Sequence, residues 1–477
     1  MTSNKTSLVE KRSRAKAGIS VTLTLALFAV YVQPGFAITP PPPKTNAQLL
    51  GGLLGGGGLL GTNRYIVRDT KGLLGLNLTC LLFGCKVLQG IGDPDAQLYV
   101  VTTSALLSPV VFLTQLLSGA GITNVEQDQA VATQGTTVGS TPDYLTDRTP
   151  VSYYGATVWE GYVLQTPNQI IRSSTTQSAY GVDGTGVTVA IIDTGVDPNN
   201  TVLQNRLVYG YDFTRNRSGG SELGDINQST VGVVDGSAQP AQLNQSTVGV
   251  VDQSTVGVVD NSKYSAFGHG TMTAGIVHLV APNAKIMPLK AFNANGTGYA
   301  SDVLRAIYYA TNHGAKVISM SFDFTTYSQE LATAINYATM RGVICVASAG
   351  NDGQMNAVYP ASLPNVIDVA STSNDNTPSA FSNYGAPPVW LSAPGEAVMT
   401  TYPFNTYAVG WGTSFSAPLV SGTVALMADV NSLLLTKQQA AKALSNARQI
   451  PYSQYGYGVL DSYQAVKAWR YAVGISW

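Results

Sequence analysis

A serine hydroxyl is a poor nucleophile near neutral pH and attacks a carbonyl only when a base takes its proton. Three segments of the chain could together supply that chemistry. Gly412-Thr-Ser-Phe-Ser-Ala-Pro418 sets Ser414 between a tight glycine turn and an apolar helix running to about Ala428. There the helix dipole and nearby backbone N–H groups can stabilise an oxyanion. Gly268-His-Gly-Thr-Met-Thr-Ala-Gly275 opens a second apolar helix on an imidazole, His269. Val187-Thr-Val-Ala-Ile-Ile-Asp-Thr-Gly-Val-Asp197 reads as a buried strand ending on a carboxylate, Asp193. The other two of the three histidines, His278 inside or at the end of that helix and His313 before a strand, read as structural or solvated. Asp193 would hold His269 in one tautomer and stabilise its charged form. The carboxyl end of a strand is also where open α/β sheets place their sites.

In the chain order Asp193, His269, Ser414, these segments resemble the subtilisin-like serine peptidases, the subtilases. The resemblance implies a serine endopeptidase acting through an acyl-enzyme. Ser414 would be its nucleophile, His269 the general base and then acid, and Asp193 the group orienting His269. It implies that Asn351, in Val346-Ala-Ser-Ala-Gly-Asn-Asp352, donates its amide to the oxyanion. It also implies an extended polypeptide substrate lying between two edges by β-augmentation. One edge would be Asn295, Gly296, Thr297 and Gly298, and the other Ser319, Met320, Ser321 and Phe322. Asp323 and Val358 stand where the family lines its primary pocket with glycine, so a narrower pocket is expected, Val358 contacting substrate. Phe415 replaces a methionine frequent beside the nucleophile, so peroxide should cause no sulfoxide-linked loss of activity there. Met272 stands where a second histidine is common, with no evident catalytic consequence. The chemistry requires no cofactor. The short span from His269 to Pro282 has no space for the family's common calcium loop, leaving calcium only as a structural ion elsewhere.

The elements that must position these residues follow from pattern. From about Val151 onward strands and helices alternate: a strand at 285–289, a helix around 301–312, a strand at 315–322, a helix around 328–341 and a strand at 343–348. Such alternation predicts a doubly wound α/β sheet with helices on both faces. The catalytic domain is placed at 136–477, with no span left for a further C-terminal domain. Residues 63–135 read as a small α+β unit in the order strand, strand, helix, strand, with Ser108-Pro109 starting the helix and Gly119 stopping it. By the same resemblance this unit is an inhibitory propeptide, and a removable folding aid suits a slowly folding parallel sheet.

Upstream, Lys11, Arg12, Arg14 and Lys16 precede a mostly apolar run from Ala17 to Val32. Gly35 and Ala37 then sit at −3 and −1 of a cleavage point, which predicts a secretory signal over 1–37 rather than a membrane anchor. Residues 38–62 are a Pro/Leu/Gly-rich linker. Cys80 and Cys85 are close enough for one small disulfide loop, permitted in an oxidising compartment. Cys345, in an apolar run, reads as a buried core residue. A net charge of −1, with 11% of residues charged, gives no electrostatic footprint for nucleic acid, and a monomer is expected. An eight-residue unit, Gln-Ser-Thr-Val-Gly-Val-Val-Asp, recurs at 228–235, 245–252 and 253–260 within an insertion at about 217–263. It reads as surface hairpin strands in a tolerant loop, or as a flap beside the cleft. Two rival functions use the same residues differently. One is a peptide ligase, separable by acceptor competition. The other is a secreted binding or adhesive protein with a vestigial triad.

Overall fold

The computed structural model describes residues 63–103, 109–131, 146–225, 247–250, 266–385 and 389–475. The expected signal segment, the linker, Ser108 and the first and third copies of the repeat lie outside them. Among the described residues no helix is long and apolar enough to cross a membrane.

The N-terminal unit comprises β1 (Asn63–Asp69), α1 (Gly72–Phe83), β2 (Cys85–Gly90), β3 (Leu98–Thr103), α2 (Pro109–Leu117) and β4 (Ile122–Gln127). Its strands form an antiparallel sheet in the order β2-β3-β1-β4. The sequence reading lacked α1 and β2. Leucines on every side of α1 and glycines at 72 and 75 leave it without an amphipathic stripe, the signal by which a helix is recognised. Gly84, left-handed at φ 71°, ends α1, and a disulfide joins Cys80 to Cys85 across that turn. Alternation along the strands divides the sheet's faces. Tyr65, Val67, Tyr99 and Val101 pack with α1 and α2 residues, whereas Ile66, Leu98 and Val100 enter the core of the larger body. The closing strand expected over 122–131 ends at Gln127, and β5 (Ala130–Val131) leaves the sheet to pair elsewhere.

The larger body opens with a hairpin, β6 (Pro150–Tyr153) and β7 (Ala156–Trp159), and the short helices α3 (Glu160–Leu164), α4 (Thr166–Ile171) and α5 (Ser173–Tyr180). Next come β8 (Thr188–Asp193), β9 (Tyr211–Asp212), β10 (Arg217–Ser218), β11 (Thr247–Val250) and α6 (His269–Val280). These are followed by β12 (Lys285–Lys290), β13 (Gly298–Tyr299), α7 (Ala300–Asn312), β14 (Val317–Met320), α8 (Gln329–Met340), β15 (Ile344–Ser348) and β16 (Val366–Thr372). The chain closes with β17 (Leu391–Pro394), β18 (Val398–Tyr402), β19 (Thr406–Trp411), α9 (Thr413–Asn431), α10 (Lys437–Leu444) and α11 (Ser462–Ala472).

Eight strands lie in the order β10-β9-β12-β8-β14-β15-β16-β17, parallel from β9 to β17. From β8 the chain passes through α6 to β12, then crosses back through α7 to β14, so strand order reverses about β8. A crevice opens at the carboxyl ends of the strands beside such a switch point, and Asp193 is the last residue of β8. Val189, Ile191 and Val317 pack on one face with α6 and α9, while Ala190, Ile192, Ile318 and Met320 pack on the other with α7 and α8. Each buried Val, Ile or Met among them contributes about 1.5–3 kcal/mol. Every residue of α6 is buried, so the helix that carries His269 is enclosed and fixed on every side.

Candidate active site

Asp193, His269 and Ser414 arrive from β8, α6 and α9. The Nδ1–H of His269 donates to both Asp193 carboxylate oxygens at 2.9 Å. The carboxylate also accepts from the Thr194 N–H at 2.7 Å and the Thr273 hydroxyl at 3.3 Å. Two glycines let these segments meet. A Cβ on Gly270 would lie 2.0 Å from the Gly195 carbonyl oxygen, and one on Gly195 would lie 2.7 Å from the Gly220 oxygen. Gly195 also holds φ at +101°. Gly270 of His-Gly-Thr is therefore demanded by contact with the Asp-Thr-Gly motif, and Gly195 of Asp-Thr-Gly by its positive φ and by contact with the segment of Gly220 and Glu222.

Ser414 lies in the first turn of α9 and is 2% exposed. Pro418 lacks an N–H, so the Ser414 carbonyl four residues earlier loses its helical partner. The Ser321 hydroxyl donates to it instead, at 2.9 Å. Ser414 Oγ donates to the Ser321 carbonyl at 3.4 Å, and His269 Nε2 has no hydrogen-bond partner. Catalytic contacts of this kind are commonly long before substrate arrives. Asn351 Oδ1 accepts from the N–H and the hydroxyl of Thr413, both at 2.9 Å. The amide oxygen is thereby committed, which leaves Nδ2 as the donor beside the Ser414 turn.

Of the first proposed substrate edge only Gly298 lies in a strand, while Asn295, Gly296 and Thr297 form a turn in which the Asn293 N–H donates to the Thr297 carbonyl at 2.8 Å. Gly298 pairs antiparallel with Val131 and Tyr299 with Ala130, so an extended strand lies along Gly298 and Tyr299. The other edge is corrected. Ser319 and Met320 are interior residues of β14, hydrogen-bonded to β8 and β15 on both sides, and have no backbone groups left for a peptide. Ser319 receives a hydrogen bond from Ser421, and Met320 lies in the core. Only Ser321 and Phe322 pass beyond the strand end, and Phe322 is itself buried against Phe292 and Phe324. Asp323 Oδ2 and Val358 Cγ2 converge on Gly350, 3.3 and 3.4 Å from where its Cβ would be. Burial, with Asp352 nearby, pushes the Asp323 carboxyl up to about 6.

Phe415 is buried with its ring 5.8 Å from that of His269. His278 is buried against Tyr162, and burial pushes its imidazole down to about 3. His313 is exposed and stacked on Tyr309. Cys345 is buried, its thiol pushed up to about 12.

Several residues that shape the site escaped the sequence reading. Thr413 fixes Asn351. Asn383 braces the Asn351 loop, accepting from the N–H groups of Asp352 and Gln354 and donating to the Ala349 carbonyl. Glu222 and Lys290 are buried behind the Asp193–His269 pair. Burial pushes Glu222 up to about 8 and Lys290 down to about 7. Apart from Thr413, inside the serine motif, no motif marks these positions, and each acts through a partner distant in sequence. Among the described residues no cluster of three or more His, Cys, Asp or Glu could hold a metal.

A parallel sheet with its switch point at β8, closed at that strand's end by the Asp193–His269 pair, is the architecture of the subtilisin class. The profile of the subtilase family (Peptidase_S8) matches residues 184–458, and the chain belongs to that family. It is a serine endopeptidase. Thermitase of Thermoactinomyces vulgaris is 31% identical over 295 residues, 60% of this chain and 90% of its own. Subtilisin Savinase of Lederbergia lenta is 34% identical over 210 residues, 42% of this chain and 78% of its own. Among solved structures, fervidolysin from Fervidobacterium pennivorans, described as a keratinolytic enzyme related to subtilisin, superposes with a TM-score of 0.63. That match has 23% identity and covers 86% of this chain and 61% of the other, which speaks to the fold alone.

Proposed function

We propose that the protein is a secreted serine endopeptidase made as a zymogen, with Ser414, His269 and Asp193 as its triad. The observation that carries the reading is the bond of His269 Nδ1–H to both oxygens of Asp193. It fixes the tautomer in which Nε2 is the lone-pair nitrogen able to take the Ser414 proton. Ser414 Oγ attacks the scissile carbonyl, and the oxyanion is held by Asn351 Nδ2 and the Ser414 N–H. Protonated His269 returns its proton to the leaving amine. Water then attacks the acyl-enzyme by the same base catalysis and releases the second product. This chemistry calls for no metal or organic cofactor.

The zymogen reading rests on the N-terminal unit. Its β5 strand pairs with β13 along the substrate edge, and Glu126 and Asp128 cap α8 and α7 of the larger body. A strand placed where a substrate would lie blocks it. Secretion is supported by the signal pattern and by the Cys80–Cys85 disulfide, which suits an oxidising compartment. Asp323, Asp352 and Val358 would narrow the primary pocket and give it an acidic wall.

The test is mass spectrometry of secreted protein after fluorophosphonate treatment. One adduct on Ser414, on a chain lacking its first ~130 residues, is the expected result. An unlabelled wild-type chain, equally unreactive once the N-terminal unit is removed, would overturn the triad assignment.

A further inference from the structure

Behind the Asp193–His269 pair lies a buried carboxylate that the mechanism above does not use. We infer that Glu222 is a positioning residue of the catalytic centre, a single acceptor hub that locks the Asp193 loop and the first turn of the His269 helix into one unit. The inference rests on the assignment of Asp193, His269 and Ser414 as the triad.

Glu222 is fully buried and accepts from three donors. The Gly268 N–H, directly before His269, reaches Oε2 at 2.8 Å. The Thr194 hydroxyl, directly after Asp193, reaches the same oxygen at 3.4 Å. The Thr271 hydroxyl donates to Oε1. Each hydroxyl oxygen also accepts a backbone N–H, and its single proton remains for the carboxyl. Thr194 Oγ1 accepts the Gly270 N–H at 3.0 Å, and Thr271 Oγ1 accepts the Asp197 N–H at 2.8 Å. Each threonine therefore relays a backbone N–H of one catalytic segment to the carboxylate. A hydroxyl offers one proton, and here both protons are spent on Glu222.

The wiring crosses between the segments. Thr194, from the aspartate loop, holds Gly270 of the helix, while Thr271, from the helix, holds Asp197 of the loop. Glu222 terminates both chains and also takes Gly268 directly. The carboxyl sits at the N-terminus of α6, where the helix dipole and these donors oppose the upward push of burial on its pKa. Its own segment is pressed onto the loop, with the Val196 N–H donating to the Gly220 carbonyl at 2.8 Å. Lys290, below, opposes the same push through its charge. Its ammonium donates to the Thr194 carbonyl at 2.9 Å and to Asp225 at 2.6 Å. The distance between Asp193 and His269 is thus set by an acceptor contributed from a third segment. A misplacement of about 1 Å in such a pair can cost on the order of 100-fold in rate.

Glutamine tests this because it preserves volume but has one accepting oxygen and one donating nitrogen. In Glu222→Gln at least one of the three donors faces an NH2 group. We expect kcat to fall at least 10-fold with KM within two-fold. The rate of fluorophosphonate labelling at Ser414 should fall in step, and the low-field His269 Nδ1 proton resonance should shift or broaden. Thr271→Val, which breaks one relay with little change of size, should produce a smaller fall of the same kind. The double variant should be no worse than Glu222→Gln alone, because both act through one hub. Wild-type kcat, labelling rate and resonance in folded Glu222→Gln would overturn the inference. So would a fall in kcat that disappears once activity is scaled to the fraction of folded enzyme. If Glu222→Gln does not fold, Thr271→Val decides alone, and unchanged kcat and resonance in that variant overturn the hub. Absence of labelling in the wild-type enzyme would instead sink the triad assignment, so the two failures are distinct.

Discussion

At the scale of single residues the site consists of committed hydrogen bonds. Asn351 spends its oxygen on Thr413, so any donation to a developing negative charge must come from its amide nitrogen. Asn351→Ala should lower kcat about 10²–10³-fold with little change in KM, the magnitude known for a single side-chain oxyanion donor. Steady-state kinetics on one peptide substrate would check it, and an equal rise in KM would point to ground-state binding instead. Asp323 makes a second prediction. Its carboxyl is pushed up to about 6 by burial and by Asp352, so it is neutral below that pH and charged above it. Preference for a Lys or Arg over a Leu residue before the scissile bond should therefore grow as pH rises through about 6. Paired kcat/KM profiles would show this, and Asp323→Asn should flatten them. Efficient cleavage after Phe or Tyr would show that the recess is not narrow.

Between elements, two helix N-termini of the larger body are capped by carboxylates that belong to the N-terminal unit. Glu126 accepts from the Ser328 hydroxyl and the Gln329 and Glu330 N–H groups at the start of α8. Asp128 accepts from the N–H and hydroxyl of Ser301 at the start of α7. Arg68 reaches across to Glu330, which is 2% exposed. With residues 63–135 supplied separately as an inhibitor of the mature enzyme, Glu126→Ala should raise its inhibition constant at least ~10-fold, the cost of one lost cap. Arg68→Ala should raise it about 100-fold. That is near the low end for breaking a buried ion pair, because Arg68 keeps some solvent. Unchanged inhibition by both variants would mean that the apolar contact of Ile66, Leu98 and Val100 holds the unit by itself. One copy of the repeat belongs to this scale too. Thr247–Val250 forms β11 on β19, the strand leading directly into the Ser414 turn.

For the whole molecule, the consequence is kinetic. The central sheet is parallel from β9 to β17, so each of those pairings joins residues far apart in sequence and must be closed at an entropic cost before it is stabilised. The N-terminal unit is local and antiparallel, and it covers α7 and α8 on one face of that sheet. A chain beginning at about residue 136 should refold from denaturant many-fold more slowly than one carrying the unit. Adding the unit in trans should restore the rate, followed as recovered peptidase activity. Equal refolding with and without it would remove any assisting role.

Periodicity and short motifs were enough to foresee the doubly wound sheet, because a strand buried on both faces and a helix bounded by caps each leave a local pattern. The triad segments were legible for a related reason. A nucleophile at a helix start, an imidazole between glycines and a carboxylate closing an apolar strand are all local requirements. What the sequence left open depended on pairing at long range. It could not show that Ser319 and Met320 lie between two strands rather than on an edge, since a strand's neighbours are not written in its own residues. Nor did it reveal α1, whose leucines surround the helix and erase its period. Glu222 and Asn383 carry no motif at all, and Thr413, though inside the serine motif, gives no local sign that it holds Asn351. Their roles exist only where folding brings them against residues tens of positions away, and only the tertiary structure could assign them.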